Sequence, residues 1–231
     1  MEASEERFDF LKMIELANTI SESCGSISIE IFCEYCECNV LMLKKMGKLA
    51  ELGFSDIITK CKIIKENREK WIEKGEEVKT VEQIFEVEIS NGLGKATGSN
   101  NNKLGFDKKS EFYKHIGSCR SIERLLRFML LMQRIIENLY NDKEEKVSTA
   151  VRKAYDQELS RYHSFFVRNT AKGIFYMLPN RDKFLRSITD DYTQFPEDEM
   201  EGHMKTLIDT SEVITSYIIN FMKEHDHFEL P

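Results

Sequence analysis

The sequence predicts an all-α fold in a single domain. The chain of 231 residues contains only three prolines, so most of it is free to form helix. Apolar residues recur at helical spacing over long stretches; in residues 5–23, for example, Phe8 and Leu11 fall on one face. No stretch alternates apolar and polar residues as a half-buried strand does, and no internal repeat or linker divides the chain. We therefore expect one domain over residues 1–231, long enough to bury a substantial core.

Helix breakers and capping residues set the order of the elements. A Cys-Gly-Ser sequence at 24–26 separates the first two helices, and Ser55 and Thr80 are suitable N-caps for the third and fourth. Residues 91–110 are rich in Gly, Asn and Ser, which predicts a mobile surface loop; no strand precedes their glycines, as a nucleotide-binding loop would require. About eight helices follow from these boundaries: 5–23, 28–46, 55–71, 80–88, two long helices within 111–178 that part near 141–142, 181–190 and 198–224.

Composition and charge argue against several classes of protein. The net charge of −7 disfavours broad nucleic-acid binding, which requires a basic surface. No stretch approaches the ~20 apolar residues of a membrane span, and the acidic N-terminal segment MEASEERFDF does not resemble a secretory signal. We expect a soluble, cytoplasmic protein with no nucleic-acid partner, whose contact with membranes is peripheral.

Six cysteines raise the alternatives of a metal site, disulfides or buried thiols: Cys24, Cys33, Cys36, Cys38, Cys61 and Cys119. Cys33 and Cys36 have the spacing of half a zinc site, but no second Cys/His pair follows at ligand spacing. Both lie in a helical stretch, IEIFCEYCECNVLMLKKMG, where cysteine behaves as a small buried hydrophobe. In a cytosolic protein we therefore favour structural thiols over a metal site or disulfides.

Three predicted helices carry charged residues at one end of an otherwise apolar face. These residues are Asp56 and Lys60 in the third helix, Arg120, Arg124 and Arg127 in the helix after the loop, and His163 in the helix that follows. Such faces suit an amphiphile whose head group meets the charges while its tails lie along the apolar part. Simpler interpretations stay open: an ordinary helical ion pair, a solvated arginine face and a hydrogen-bonded core histidine.

The residue types indicate the chemistry of the head group. Arginine donates paired, charge-assisted hydrogen bonds to phosphate, and lysine adds a compact charge. A carboxylate such as Asp56 is a poor partner for phosphate but accepts from a hydroxyl or an amide N–H, and His163 can donate to a carbonyl. The set indicates a ligand with a phosphate, an amide and a hydroxyl next to long hydrocarbon. No nucleophile–base pair, metal set or phosphate loop occurs, so we expect binding without catalysis.

In this order and context the residues resemble the glycolipid transfer protein superfamily over nearly the whole chain. GFSDIITKCKII is similar to the Asp-containing helix of that family, CRSIERLLRFMLLMQ to its central head-group helix, AYDQELSRYHSFFVRNTA to its Tyr-His helix and YMLPNRDKFL to the segment that follows. Lys60 and Arg124 stand where glycolipid-binding members carry Asn and a sugar-stacking Trp. The chain therefore resembles the ceramide-1-phosphate transfer branch, and its closing HDHFELP is similar to the end of that branch.

The resemblance implies a two-layer all-α sandwich of about eight helices with lipid tails between the layers. It implies that Lys60, Arg120 and Arg124 hold a phosphate, that Asp56 binds the ceramide amide N–H and hydroxyl, and that His163 donates to the amide carbonyl. The implied function is non-vesicular transfer of a phosphosphingolipid between membranes, without a cofactor or a metal. The alternatives are a sphingolipid sensor or helical scaffold acting through a partner protein, and glycosphingolipid transfer. We expect a monomer.

Trp71 is the candidate membrane contact. It is the only tryptophan and ends a helix rich in basic residues, among them Lys65 and Arg68. An interfacial tryptophan beside cations is typical of peripheral membrane binding, although a partly buried aromatic with salt-bridged neighbours fits the pattern equally. The resemblance also implies a further phosphate-binding cation in or near the loop, where the candidates are Lys103, Lys108, Lys109 and Lys114.

Overall fold

The computed structural model describes residues 7–47, 51–99, 101–228 and 230, with the backbone alone for 51–54. Within these residues the chain forms nine α-helices and no β-sheet, which confirms the all-α prediction. No helix among them is long and apolar enough to cross a bilayer. The helices are α1 (Phe10–Glu22), α2 (Ile29–Lys44), α3 (Glu51–Glu73), α4 (Val81–Ser90), α5 (Ser118–Asn141), α6 (Val147–Glu158), α7 (Phe165–Phe175), α8 (Arg181–Ile188) and α9 (Met200–Glu224).

Side-chain caps explain where several helices begin. Thr80 and Gln83 form the capping box that starts α4, as the sequence predicts for Thr80. Asp9 caps α1, so this helix begins at Phe10; its predicted start at residue 5 lies outside the described residues. The prediction for α3 is wrong at its start, because the helix begins at Glu51 and Ser55 lies inside it. The glycine that precedes Ser55 is tolerated inside a helix at a cost of about 1 kcal/mol.

The second long helix predicted after the loop is interrupted, and His163 lies in the interruption. α6 is followed by a single 3₁₀ turn at Ser160–Tyr162, and α7 begins after Ser164, whose side chain caps it. The Ser160 hydroxyl donates to the Asp156 carbonyl at 2.9 Å, a local bond that competes with continued helix. His163 therefore has extended backbone (φ −101°, ψ 142°). The prediction that it lies on a helical face is wrong.

The helices enclose an interior between two layers. Contacts run from α1 to α2, α2 to α3, α3 to α5, α5 to α9 and α9 back to α1, which closes a ring. α4 and α6 pack on α5, and α7 packs on α6. The predicted two-layer sandwich is confirmed, with α5 at its centre.

The interior between the layers is closely packed. A gap bounded by Met13 of α1, Met42 of α2, Met132 of α5 and Leu207 of α9 has a free volume of about 190 Å³, with no space wide enough for a water molecule. Because no water-sized space exists in this gap, a ligand could enter it only if these helices part. Three of the four named side chains are methionines, whose unbranched thioether chains repack readily.

A buried asparagine organises the segment predicted as a mobile loop, 91–110. The Asn101 amide donates to the carbonyls of Phe112 and His115 at 2.7 Å each, and its oxygen accepts from the Thr97 amide at 3.0 Å. A 3₁₀ turn covers Asn101–Leu104. These contacts define the folded shape of the segment, whereas its mobility stays a prediction.

Five of the six cysteines are buried and all six are free thiols, as expected for structural cysteines. Cys33 of α2 and Cys61 of α3 each direct the sulfur to the other's carbonyl at 3.9 Å. Burial raises the pKa of Cys38 to about 12 and that of Cys36 well above its ordinary value. Among the described residues, no group of three or more potential ligands is arranged to hold a metal ion.

Candidate functional site

The two predicted site residues of α3 form an ion pair. Lys60 Nζ lies 3.1 Å from Asp56 Oδ1, one helical turn away. The Lys60 side chain is 19% exposed and that of Asp56 is 62% exposed. Farther along the same helix Ile63 is half-buried and Ile64 fully buried, so this surface turns inward. The pair therefore stands at the rim of the apolar interior with its carboxylate open to solvent.

A buried carboxylate fixes the start of α5 beside α3. Glu88 of α4 accepts from the backbone N–H groups of Ser118 at 2.8 Å and Cys119 at 3.1 Å. It also accepts from the Asn67 amide at 3.3 Å and from His115 Nε2 at 3.1 Å. The first N–H groups of a helix have no partner within the helix, and a negative charge at that end is favourable. Glu88 therefore locks the first turn of α5 to α3 and α4.

α5 then runs back along α3, which brings its arginines to the ion pair. The Asn67 amide donates to the Ser118 hydroxyl at 3.0 Å, so the start of α5 lies beside Asn67. Lys60 precedes Asn67 by seven residues and Arg124 follows Ser118 by six, which is about 10 Å of helix in both cases. Because α3 and α5 pack together, Lys60 and Arg124 lie at the same level.

Arg120 and Arg124 lie one turn apart on α5, and both are partly exposed. Burial lowers the pKa of Arg120 and the charge of Arg124 lowers it further, while Glu123 and Asp56 oppose the shift. Arg124 also lies 3.5 Å from a Glu123 carboxylate oxygen. The two guanidinium groups and Lys60 form a cationic site that suits a doubly charged anion.

His163 joins this group through the segment between α6 and α7. Tyr155 Oη lies 2.9 Å from His163 Nδ1. Burial lowers the pKa of His163, and the charge of Arg124 lowers it further, so the ring is neutral at pH 7. In the tautomer in which the Tyr155 hydroxyl donates to Nδ1, the imidazole proton lies on Nε2 and is available to a ligand. We call these five residues the head-group site, after the role that the sequence predicts for them: Asp56, Lys60, Arg120, Arg124 and His163.

Arg127, the third arginine of this face, is buried, unlike the other two. Its Nε donates to Glu123 at 3.0 Å, and its guanidinium carbon lies 4.7 Å from the ring centroids of both Tyr162 and Phe228. The face of α5 thus passes beneath the 3₁₀ turn and the C-terminal segment. Arg127 holds these two segments to α5 and does not face the solvent with its neighbours.

Two contacts of the site were missed from the sequence. The hydroxyl of Tyr155 orients His163, and its signal was the tyrosine eight residues before the histidine in AYDQELSRYH. The Leu230 carbonyl accepts from Arg124 Nη2 at 3.4 Å. No local pattern marks this second contact, because 106 residues separate its partners.

Trp71, the candidate membrane contact, is buried in this structure, which fits the alternative of a packed aromatic with salt-bridged neighbours. Trp71 is only 4% exposed and stacks on Phe112, with ring centroids 5.8 Å apart. Phe112 reaches it from the segment that precedes α5, a contact that helical periodicity cannot predict. Lys65 and Arg68 form ion pairs with carboxylates of α2. This end of α3 is therefore a packed edge of the fold.

The loop lysines are exposed and their role stays a prediction. They are Lys103, Lys108, Lys109 and Lys114. The 3₁₀ turn at Glu111–Lys114 packs beside Trp71, eleven residues or about 16 Å of helix from Lys60.

An exposed apolar patch lies on and just after α7, directly following His163. Phe165 and Phe166 are 73% and 78% exposed, and Tyr176 and Met177 are 88% and 72% exposed. Phe165 with Phe166, and Tyr176 with Met177, thus form two exposed apolar pairs at the two ends of α7, and exposed large apolar groups of this kind mark interaction surfaces. We call these four residues the α7 patch.

Comparison with known proteins agrees with this architecture. The family described as Glycolipid transfer protein matches residues 27–190, and the chain belongs to this family. Its members are lipid-transfer proteins and not enzymes. The ceramide-1-phosphate transfer protein of Xenopus tropicalis is 26% identical over 188 residues, which is 80% of each chain. The protein of the same name from Mus musculus is 25% identical over 156 residues, 67% of each chain.

Solved structures share the fold at lower identity. Apo mouse ceramide-1-phosphate transfer protein aligns with a TM-score of 0.79 at 19% identity, covering 97% of this chain and 100% of that one. The human protein in complex with 12:0 ceramide-1-phosphate gives 0.78 at 18% identity with the same coverage. The fungal glycolipid transfer protein HET-C2 gives 0.66 at 15% identity, covering 93% and 97%.

Proposed function

We propose that the protein transfers ceramide-1-phosphate between membranes. The observation that carries this proposal is the head-group site, where three cations lie beside the Asp56 carboxylate and one neutral histidine, while the buried Glu123 carboxylate is shared between Arg124 and Arg127. A phosphate monoester has a charge of about −1.5 to −2 at neutral pH, which balances the surplus of cations. An uncharged sugar would bring no negative charge to this cationic site. Curated relatives named ceramide-1-phosphate transfer protein support the same ligand.

The roles of the residues follow from their chemistry. Arg120, Arg124 and Lys60 donate to the phosphate oxygens. Phosphate draws the Lys60 ammonium away from Asp56, whose carboxylate then accepts from the ceramide amide N–H and the sphingoid hydroxyl. His163, kept neutral and oriented by Tyr155, donates from Nε2 to the amide carbonyl. Each polar group of the ceramide then has a partner at the rim of the interior.

The hydrocarbon tails belong between the two layers. Burial of each CH₂ contributes about 0.8 kcal/mol, so escape of a two-tailed lipid through water is slow. Loading and release therefore take place on a membrane surface, where the helices part and the tails pass directly from the bilayer. The protein works peripherally, and we place it in the cytoplasm as a monomer.

The α7 patch is the surface that meets the membrane, in place of Trp71. Its aromatic side chains suit the bilayer interface, and the exposed Lys172 on the same helix complements anionic lipids. Phe166→Ser should weaken binding to vesicles and slow transfer while leaving binding of short-chain ceramide-1-phosphate in solution unchanged. Val213→Ser is the matched control, because Val213 is an exposed apolar residue of α9. Equal vesicle binding by both variants would contradict this docking surface.

The decisive experiment is transfer of fluorescent ceramide-1-phosphate between vesicles, with galactosylceramide and diacyl phosphatidic acid compared. We expect selective movement of ceramide-1-phosphate. Preference for galactosylceramide would overturn the roles of Lys60 and Arg124, and equal handling of phosphatidic acid would overturn those of Asp56 and His163. Tight binding without transfer would favour a lipid sensor.

A further inference from the structure

The chain that follows α9 is held firmly against α4 and α5. Asp226 adopts a left-handed conformation (φ 55°) that turns the chain, and the His227 amide donates to the Met222 carbonyl at 2.9 Å. The His227 ring packs edge-on to Phe85, with centroids 5.7 Å apart. It also fills the space beside Gly94, where a Cβ atom would come within 2.3 Å of His227 Nε2. The direction in which the last residues leave α9 is therefore fixed.

This path brings the last residues to the arginines of α5. The Phe228 ring centroid lies 4.7 Å from the Arg127 guanidinium carbon, and the Leu230 carbonyl accepts from Arg124 Nη2 at 3.4 Å. Leu230 is itself buried. Arg124 belongs to the head-group site, so the C-terminal segment contacts the site directly.

We propose that Phe228 and Leu230, here called the C-terminal wall, restrict the ligand to a phosphate monoester. The inference rests on the proposed function and adds a specificity determinant to it. Arg124 has five N–H donors, and the wall occupies one of them while leaving others for phosphate. A phosphate held by Arg124 then lies against the wall. A group esterified to that phosphate, such as choline, must displace the wall and break its contacts with Arg124 and Arg127.

The test compares two lipids that share a ceramide and differ only beyond the phosphate. Transfer of ceramide-1-phosphate and of sphingomyelin between vesicles is measured for wild type and for the full-length double variant Phe228→Ala/Leu230→Ala. We expect the ratio of the two transfer rates to fall about tenfold, because a cation–π contact and the packing that holds a charged hydrogen bond are removed. The change should come from gained sphingomyelin transfer. Phe228→Tyr keeps the aromatic ring and should keep the wild-type ratio.

Lys223→Gln is the matched control. Lys223 Nζ also lies over the Phe228 ring, at 5.2 Å, but neither the contact with Arg127 nor that with Arg124 depends on it. Its ratio should equal that of wild type, and circular dichroism should show equal helix content in all variants. If the double variant keeps the wild-type ratio of the two transfer rates, or loses transfer of both lipids equally, the role of the C-terminal wall is overturned and the proposed function stands. Wild type that moves neither lipid would overturn the proposed function and the wall together.

Discussion

Replacing Lys60 by Gln separates the role of this residue in binding from its role in stability. In the folded protein Lys60 makes an i, i+4 ion pair with Asp56, whose side chain is largely exposed to solvent. Such pairs contribute about 0.3–0.5 kcal/mol to the free energy of unfolding. In the loaded protein the same ammonium donates to phosphate, and a charge-assisted hydrogen bond contributes about 1.5–3 kcal/mol. We therefore expect Lys60→Gln to raise the Kd for ceramide-1-phosphate about 10- to 150-fold with almost unchanged stability.

Lys62→Gln provides the control on the same helix. Lys62 forms an i, i+4 pair with Glu66 at 3.6 Å, but it is exposed and points away from the head-group site. The assay is titration calorimetry with short-chain ceramide-1-phosphate, together with thermal unfolding of both variants. A Kd within twofold of wild type for Lys60→Gln would refute the phosphate contact. An equal loss in Lys62→Gln would attribute the effect to net charge and refute the local argument.

Three further perturbations test the supports of the site. Tyr155→Phe should raise the Kd for ceramide-1-phosphate several-fold, because it removes a hydrogen bond of about 1 kcal/mol that orients His163; an unchanged Kd by calorimetry would contradict this. Glu88→Gln should lower the free energy of unfolding by about 3 kcal/mol in urea denaturation, because an amide cannot accept all four hydrogen bonds, whereas the exposed Glu86→Gln on the same helix should have little effect. The pKa of His163 in the folded protein lies below its ordinary value of 6.5, so the unfolded chain binds the proton at higher pH than the folded protein does. The free energy of unfolding should therefore fall as the pH drops below 6.5. His163→Gln should lack this part of the pH dependence of Tm.

Helical periodicity predicted most of the fold, and it predicted which side chains of the proposed site share a helical face. Asp56 with Lys60, and Arg120 with Arg124, are i, i+4 pairs whose shared face follows from the geometry of a single helix. The sequence could also place Thr80 at the start of α4, because a capping box is formed by residues three apart. These features depend on neighbours within one turn, which is why the sequence alone predicts them.

The features that the sequence did not reveal depend on contacts between distant segments. Trp71 has the composition of an interfacial residue, but Phe112 from another segment covers it. Arg127 is in phase with the arginines of the site, but Phe228 lies over it from the other end of the chain. The break before His163 has no glycine or proline; its signals were Ser160 and Ser164, which also occur inside helices.

The position of His163 has a consequence for the order of events during lipid uptake. Only Ser164 separates His163 from the exposed Phe165, so the two Cα atoms are at most about 7 Å apart along the chain. In the proposed docking, with the α7 patch in the bilayer interface, His163 would lie at the depth of the ceramide backbone. The head-group site would then contact a lipid while its tails are still in the leaflet, before the helices around the interior part. Under this proposal selection precedes extraction, and we expect a lipid with the wrong head group to be rejected before the protein opens.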